Sequence, residues 1–159
     1  MFLTLHGATG AFVGQFTANP VLAFVFGFLS HFPLDVFPHG DRAFALRAKR
    51  SVREAHRFML LITADLVIGA VVLGAAFLFQ RFDQPTAAFW GMIGGLLPDA
   101  IVAIPEYAMF VRKSKRVWFR WFYRLHDYNH NRVITSFDCS LRTGMVAQGI
   151  LLVLLWKLW

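Results

Sequence analysis

The stretch "FMLLITADLVIGAVVLGAAFLFQ" (58–80) limits the fold more than any other part of the chain. A helix needs about 20 apolar residues to cross roughly 30 Å of hydrocarbon, and this run supplies them with one carboxylate, Asp65, inside it. "AAFWGMIGGLLPDAIVAIPEYAMF" (87–110) is a second such run, and "TGMVAQGILLVLLWKLW" (143–159) is a shorter one ending in interface-loving tryptophans. Residues 3–17 and 21–37, separated by "TANP", add two more candidates. The chain therefore reads as an all-α, polytopic membrane bundle of about five transmembrane helices, one membrane domain over 1–159. Composition agrees: 57% of residues are hydrophobic, 18 are Phe and only 9 are acidic, too little charge for a water-facing surface.

The formal charge of +7 invites a nucleic-acid reading, but its distribution argues against one. Six of the 16 basic residues lie between Arg42 and Arg57 and seven between Arg112 and Arg132, both sets flanking apolar runs. That is the positive-inside pattern, and it puts loop 38–57, segment 112–142 and the amino terminus on the cytoplasmic side. Membrane lipids, and not nucleic acid, are the expected partners. Cys139 is the single cysteine, so no intrachain disulfide is available. The first residues lack the basic start of a secretory signal.

The hairpins 1–41 and 58–111 echo one another. His6 precedes Gly10-Ala11 as Asp65 precedes Gly69-Ala70, and "GFLSHFPLD" ends in Asp35 as "GMIGGLLPD" ends in Asp99. A duplicated hairpin is a consistent reading.

A carboxylate inside a membrane helix costs on the order of 3 kcal/mol on insertion scales, so Asp65 and Asp99 call for partners in the bundle interior. In "SHFPLDVFPHGD", His31, Asp35 and His39 are spaced by four and four, one face of a helix within about 80° of arc. Imidazole with carboxylate and no thiolate is a ligand set for zinc, with iron(II) or manganese(II) as alternatives. The expected metal ligands are His6, His31, Asp35, His39, Asp65 and Asp99, gathered at the inner-leaflet level. His126 and His130, four apart in "RLHDYNHNR", are possible additions. Glu106, seven residues after Asp99, and Asp41 are candidates for general base or an outer supporting group. In "KRVWFRWFYRL", Arg116, Arg120 and Arg124 alternate with aromatics, which suits an interfacial helix that attracts anionic headgroups.

At "LHGATGAF", "SHFPLDVFPHGD" and "GLLPD" the chain resembles small bacterial membrane-bound metal-dependent hydrolases of the YdjM type. Their pattern of an early His, a "PD" at a helix end and later histidines matches His6, Asp35 or Asp99, and His126 with His130; "HDYNHNR" stands where that family has "HRGxTHS". More loosely, His31 with Asp35 is similar to part of the ligand set of zinc-dependent phospholipase C. The resemblance implies a bacterial inner-membrane enzyme hydrolysing a phosphoester, in a lipid or lipid-linked substrate, at the cytosolic leaflet. Two other classes stay open: a transporter using intramembrane Asp and His, and a non-catalytic membrane subunit or assembly factor.

Overall fold

Helix ends in this chain are written into its side chains. Asn19 Oδ1 accepts from the amides of Val21 and Leu22 at 2.9 and 3.4 Å and opens helix α2 (Pro20–Val36), with Pro20 at its first position. Ser51 Oγ accepts from Glu54 N at 3.2 Å and opens α4 (Val52–Leu78), and Ser140 does the same through Thr143 N for α7 (Leu141–Leu158). Pro85 starts α5 (Pro85–Phe110), which runs unbroken through Pro98 and Pro105. The computed structural model describes residues 1–40, 42–48, 50–112, 114, 117–131 and 139–159. Its remaining elements are α1 (Leu3–Gly14), α3 (Arg42–Ala48) and α6 (Arg120–Asn131), and no strand occurs among the described residues.

The centre of the fold is the triple contact of α1, α2 and α5. Small residues make it possible. A Cβ on Gly91 of α5 would land on the Gly10 carbonyl and lie 2.9 Å from Gly14 Cα, so backbone meets backbone there. Ala8, Ala11, Ala23 and Ala88 are buried around this contact. Close approach of this kind is how helices pack where hydrocarbon removes the hydrophobic drive between them. In contrast α4 barely touches α5 and rests on α1 and α3, while α7 leans on α1 and α6 lies across α2 and α5.

Among the described residues three helices, Val52–Leu78, Pro85–Met109 and Leu141–Leu158, are long and apolar enough to cross a membrane. Large exposed hydrophobics such as Leu60, Val67 and Val71 on α4 and Val146, Ile150 and Val153 on α7 give the outward faces that lipid requires. The expected five spans are thereby reduced to three. At 12 residues α1 is about 18 Å long, well short of a crossing, and α2, at 17 residues, is an apolar helix shorter than these three. The two hairpins also differ in packing, since α1 and α2 lie together while α4 and α5 splay. Within segment 112–142 helix α6 starts at Arg120, directly after Phe119 takes a positive φ of 48°.

Candidate metal centre

Helix α1 has no side-chain cap of its own. Its first amides are satisfied from elsewhere: Gln148 Oε1 of α7 accepts from Phe2 N at 2.9 Å, and Asp65 Oδ2 of α4 accepts from Thr4 N at 3.1 Å. Thr4 Oγ1 in turn donates to the Asp65 carbonyl at 2.8 Å. These contacts fix the start of α1, and His6 stands two residues further on, fully buried. Its ring stacks on His31 of α2, with centroids 3.9 Å apart.

His31 Nδ1 lies 2.9 Å from the Gly95 carbonyl oxygen, which can only accept. That contact puts the ring proton on Nδ1 and leaves the Nε2 lone pair facing inward. What Nε2 meets is Asp35 Oδ2 at 3.0 Å, His126 Nε2 at 3.1 Å and Asp99 Oδ1 at 3.7 Å. His126 Nε2 is itself 3.1 Å from Asp99 Oδ1 and 3.4 Å from Asp35 Oδ2. His6 Nε2 completes the group, 3.1 Å from Asp35 Oδ1 and 3.8 Å from Asp99 Oδ2. Five side chains from α1, α2, α5 and α6 thus bring their donor atoms together.

These contacts fit a cation better than they fit one another. Asp35 Oδ2 and both nitrogens of His6 are buried without an aligned hydrogen-bond partner among the described residues, although other donor atoms lie close. A proton on one ring settles one such contact; a divalent cation would settle His6 Nε2 and Asp35 Oδ2 together, since one ring offers it one nitrogen. Metal–nitrogen bonds of about 2.0–2.1 Å in a tetrahedron separate neighbouring ligand atoms by roughly 3.3 Å. The 3.0–3.4 Å spacings around His31, Asp35 and His126 are close to that value. The buried cluster is one that could hold a metal ion, drawn from His6, His31 and Asp99 and from His31, Asp35 and His126.

His39 lies beyond the helix it was expected to share with His31 and Asp35, because α2 ends at Val36 ahead of Pro38. The ring is buried all the same. Gly40, with φ 76°, turns the chain so tightly onto α7 that a Cβ there would sit 2.8 Å from Leu141 Cα. His39 Nδ1 is 2.6 Å from the Phe37 carbonyl, so its Nε2 lone pair points to His130 Nε2 at 3.2 Å. His130 Nε2 lies 4.0 Å from Asp35 Oδ1. The Met1 ammonium bridges the two, 3.5 Å from Asp35 Oδ1 and 3.1 Å from His130 Nε2.

The other expected residues fall elsewhere. Asp65 serves the amino-terminal end of α1 instead of joining the cluster; a carboxylate suits the positive end of a helix dipole. Glu106 lies within electrostatic reach of Tyr123 on α6, whose phenol is pushed well above its ordinary value by burial, then by Glu106 and Asp127. Arg120 and Arg124 are exposed on the outer side of α6, whose inner face carries Phe122 and His126. Asp41 and Arg116 are outside the described residues. Sequence reasoning passed over Gln148, the lone amide in an apolar helix, and Asn129, which donates to the Phe32 carbonyl at 2.9 Å and ties α6 to α2.

Replacing Asp65 by alanine leaves the buried Thr4 amide without its acceptor, a loss of about 1–3 kcal/mol. The expected result is a thermal midpoint lowered by roughly 2–4 °C per kcal/mol, with metal content retained. Elemental analysis of the purified variant separates this capping role from ligation, since a ligand's loss would take metal with it.

Comparisons of the chain with protein-family models, with curated proteins and with solved structures return no match.

Proposed function

We propose that this is a membrane-embedded, metal-dependent hydrolase that cleaves a phosphoester in a lipid or lipid-linked substrate at the cytosolic leaflet of a bacterial inner membrane. The observation that carries the reading is the convergence of His31 Nε2, His126 Nε2 and Asp35 Oδ2 within 3.0–3.4 Å of one another at the end of apolar helices. Its resemblance at "SHFPLDVFPHGD" and "GLLPD" to YdjM-type hydrolases agrees with this chemistry.

Each residue has a defined part. The Gly95 carbonyl and the Phe37 carbonyl hold His31 and His39 in the tautomer that offers Nε2. Asp35 presents one oxygen to His31 and His126 and the other to His6. Asp99 has a side chain 22% exposed, against none for His6 and Asp35, so it marks the open edge where substrate enters. A bound divalent cation supplies Lewis acidity to a phosphoryl oxygen and acidifies water to a pKa near 7. Basic segments around Arg47, Arg50 and Arg53 and around Arg120 and Arg124 flank this end of the bundle; they favour the cytosolic side and attract anionic headgroups. The same residue set, without thiolates, suits zinc, iron(II) or manganese(II).

Beside the cluster, the Met1 ammonium lies 3.1 Å from His130 Nε2 and 3.5 Å from Asp35 Oδ1, so a cation already stands there, between this pair and not on the side of His39. Elemental analysis of detergent-purified protein is expected to find bound divalent metal, and His31→Ala is expected to lose it. Hydrolysis of phosphoester lipids should vanish on chelation and return with metal. A wild-type protein without bound metal, or one whose metal content ignores His31→Ala, would sink this reading.

A further inference from the structure

One amide is buried in the apolar span α7. Gln148 is 7% exposed, and a polar side chain inside a membrane helix calls for partners. Its Oε1 accepts from Phe2 N at 2.9 Å. Its Nε2 donates to the Gly144 carbonyl, one turn back, at 3.2 Å and reaches the His39 carbonyl at 3.5 Å. The chemistry fixes which way the amide points, since Phe2 N can only donate and the two carbonyls can only accept. The Phe2 and His39 contacts both leave α7, and both end beside the same ring. Phe2 follows Met1, whose ammonium is 3.1 Å from His130 Nε2 and 3.5 Å from Asp35 Oδ1. His39 Nε2 is 3.2 Å from His130 Nε2. The backbone supports the second contact: a Cβ on Gly144 would land on the His39 carbonyl, so α7 packs directly on the turn at His39 and Gly40.

We infer that Gln148 is a positioning residue for the metal centre. From α7 it holds the Phe2 amide and the His39 carbonyl, and through them the side of the centre formed by His130 and Asp35 Oδ1. Metal affinity enters this inference through the proposed hydrolase; the placement of His39 and His130 stands without it. A tie between two membrane helices needs only one partner on a neighbouring helix. Gln148 instead joins two segments outside the helices, residue 2 just ahead of α1 and residue 39 just after α2. Each is one step from His130. An apolar side chain of the same length would fill the space and hold neither, because only an amide both donates and accepts there. A metal site depends on such outer supports to aim the groups that face the ion.

The test uses the full chain in detergent micelles, with its amino terminus free, and compares Gln148→Met with Asp65→Ala. Methionine keeps the length of the side chain and removes the amide. Asp65→Ala also strips an acceptor from the start of α1, but there the acceptor serves Thr4 N. Ring-nitrogen NMR spectra of metal-free protein, recorded at one pH, report the histidines one by one. Gln148→Met should move the His39 and His130 signals and leave that of exposed His56 in place, while Asp65→Ala should leave all of these where they are. Zinc affinity, read by competition with a chelator, should fall about 10–100-fold in Gln148→Met, the usual cost of losing an outer support, and keep its wild-type value in Asp65→Ala. Unmoved His39 and His130 signals, wild-type zinc affinity in Gln148→Met, or the same changes in Asp65→Ala would each overturn the inference. If Gln148→Met does not fold, Gln148→Glu carries the same test, since it keeps an acceptor for Phe2 N and removes the amide N–H that faces His39. A wild-type chain that binds no zinc would count against the hydrolase, and the histidine signals would still decide the role of Gln148.

Discussion

Asp35→Asn is expected to remove the bound metal and with it all measurable hydrolysis. The substitution keeps the shape of the side chain and takes away its charge and one acceptor. Asp35 faces three imidazoles within 3.4 Å: His31 and His126 at 3.0 and 3.4 Å on one oxygen, His6 at 3.1 Å on the other. The charge also balances the cation in a buried site, where both oxygens of Asp35 are shielded. A conserved shape with a lost charge leaves imidazoles around a neutral amide that binds a divalent ion poorly. Metal present at 100 times its dissociation constant stabilises a folded chain by about 2.7 kcal/mol. Chelation should therefore lower the thermal midpoint of the wild type by several degrees and leave that of Asp35→Asn where it is. Elemental analysis and a melting series with and without chelator check both halves. A variant that keeps full metal content would remove Asp35 from the ligand set.

Gly91→Leu is expected to prevent the bundle from assembling. Filling a packed interior with extra methylenes typically costs about 1–3 kcal/mol when side chains can shift. At Gly91 nothing can shift, because the obstructing atoms are the backbone of α1 at Gly10 and Gly14, and a Cβ on Gly27 of α2 would strike the Gly91 carbonyl from the other side. The cost exceeds that range, and size-exclusion chromatography of the detergent extract should show aggregate in place of a single species. The same change at Gly149, where a Cβ meets nothing within 4 Å, should leave the profile unaltered. A monodisperse, metal-loaded Gly91→Leu protein would mean that the three helices do not approach this closely.

The sequence carried the three long spans plainly, because 58–80, 87–110 and 143–159 are its longest apolar runs with the fewest charges. It overcounted in the first 38 residues. There the chain is as apolar as a span, but its glycines serve contact with α5 and its helices are cut short by "TANP" and Pro38. The cluster itself was partly readable. His6, His31, Asp35 and Asp99 were visible as polar groups with no reason to be in hydrocarbon, and they do meet. Asp65 looked the same in the sequence and went elsewhere, since a buried carboxylate can serve a metal or a helix end. Only the position of Thr4, 61 residues away, decides which. His39 sat on the right spacing for the wrong reason: Pro38 breaks the helix, and a glycine turn returns the ring to the site. His126 was undervalued because its segment is rich in arginine and aromatics. The fourfold spacing of Phe122, His126 and His130 gives that helix its inward edge.

The way α1 is fastened sets an order of events in the cell. The amides of Phe2 and Thr4 are met by Gln148 and Asp65, which are synthesised 146 and 61 residues later. Until both helices have been inserted, the first one has bare donors in a lipid environment and no fixed rotation about its axis. The histidine it carries can then find its place only once α7 has arrived, so the His and Asp cluster closes late, after α4 and α7 are both in place.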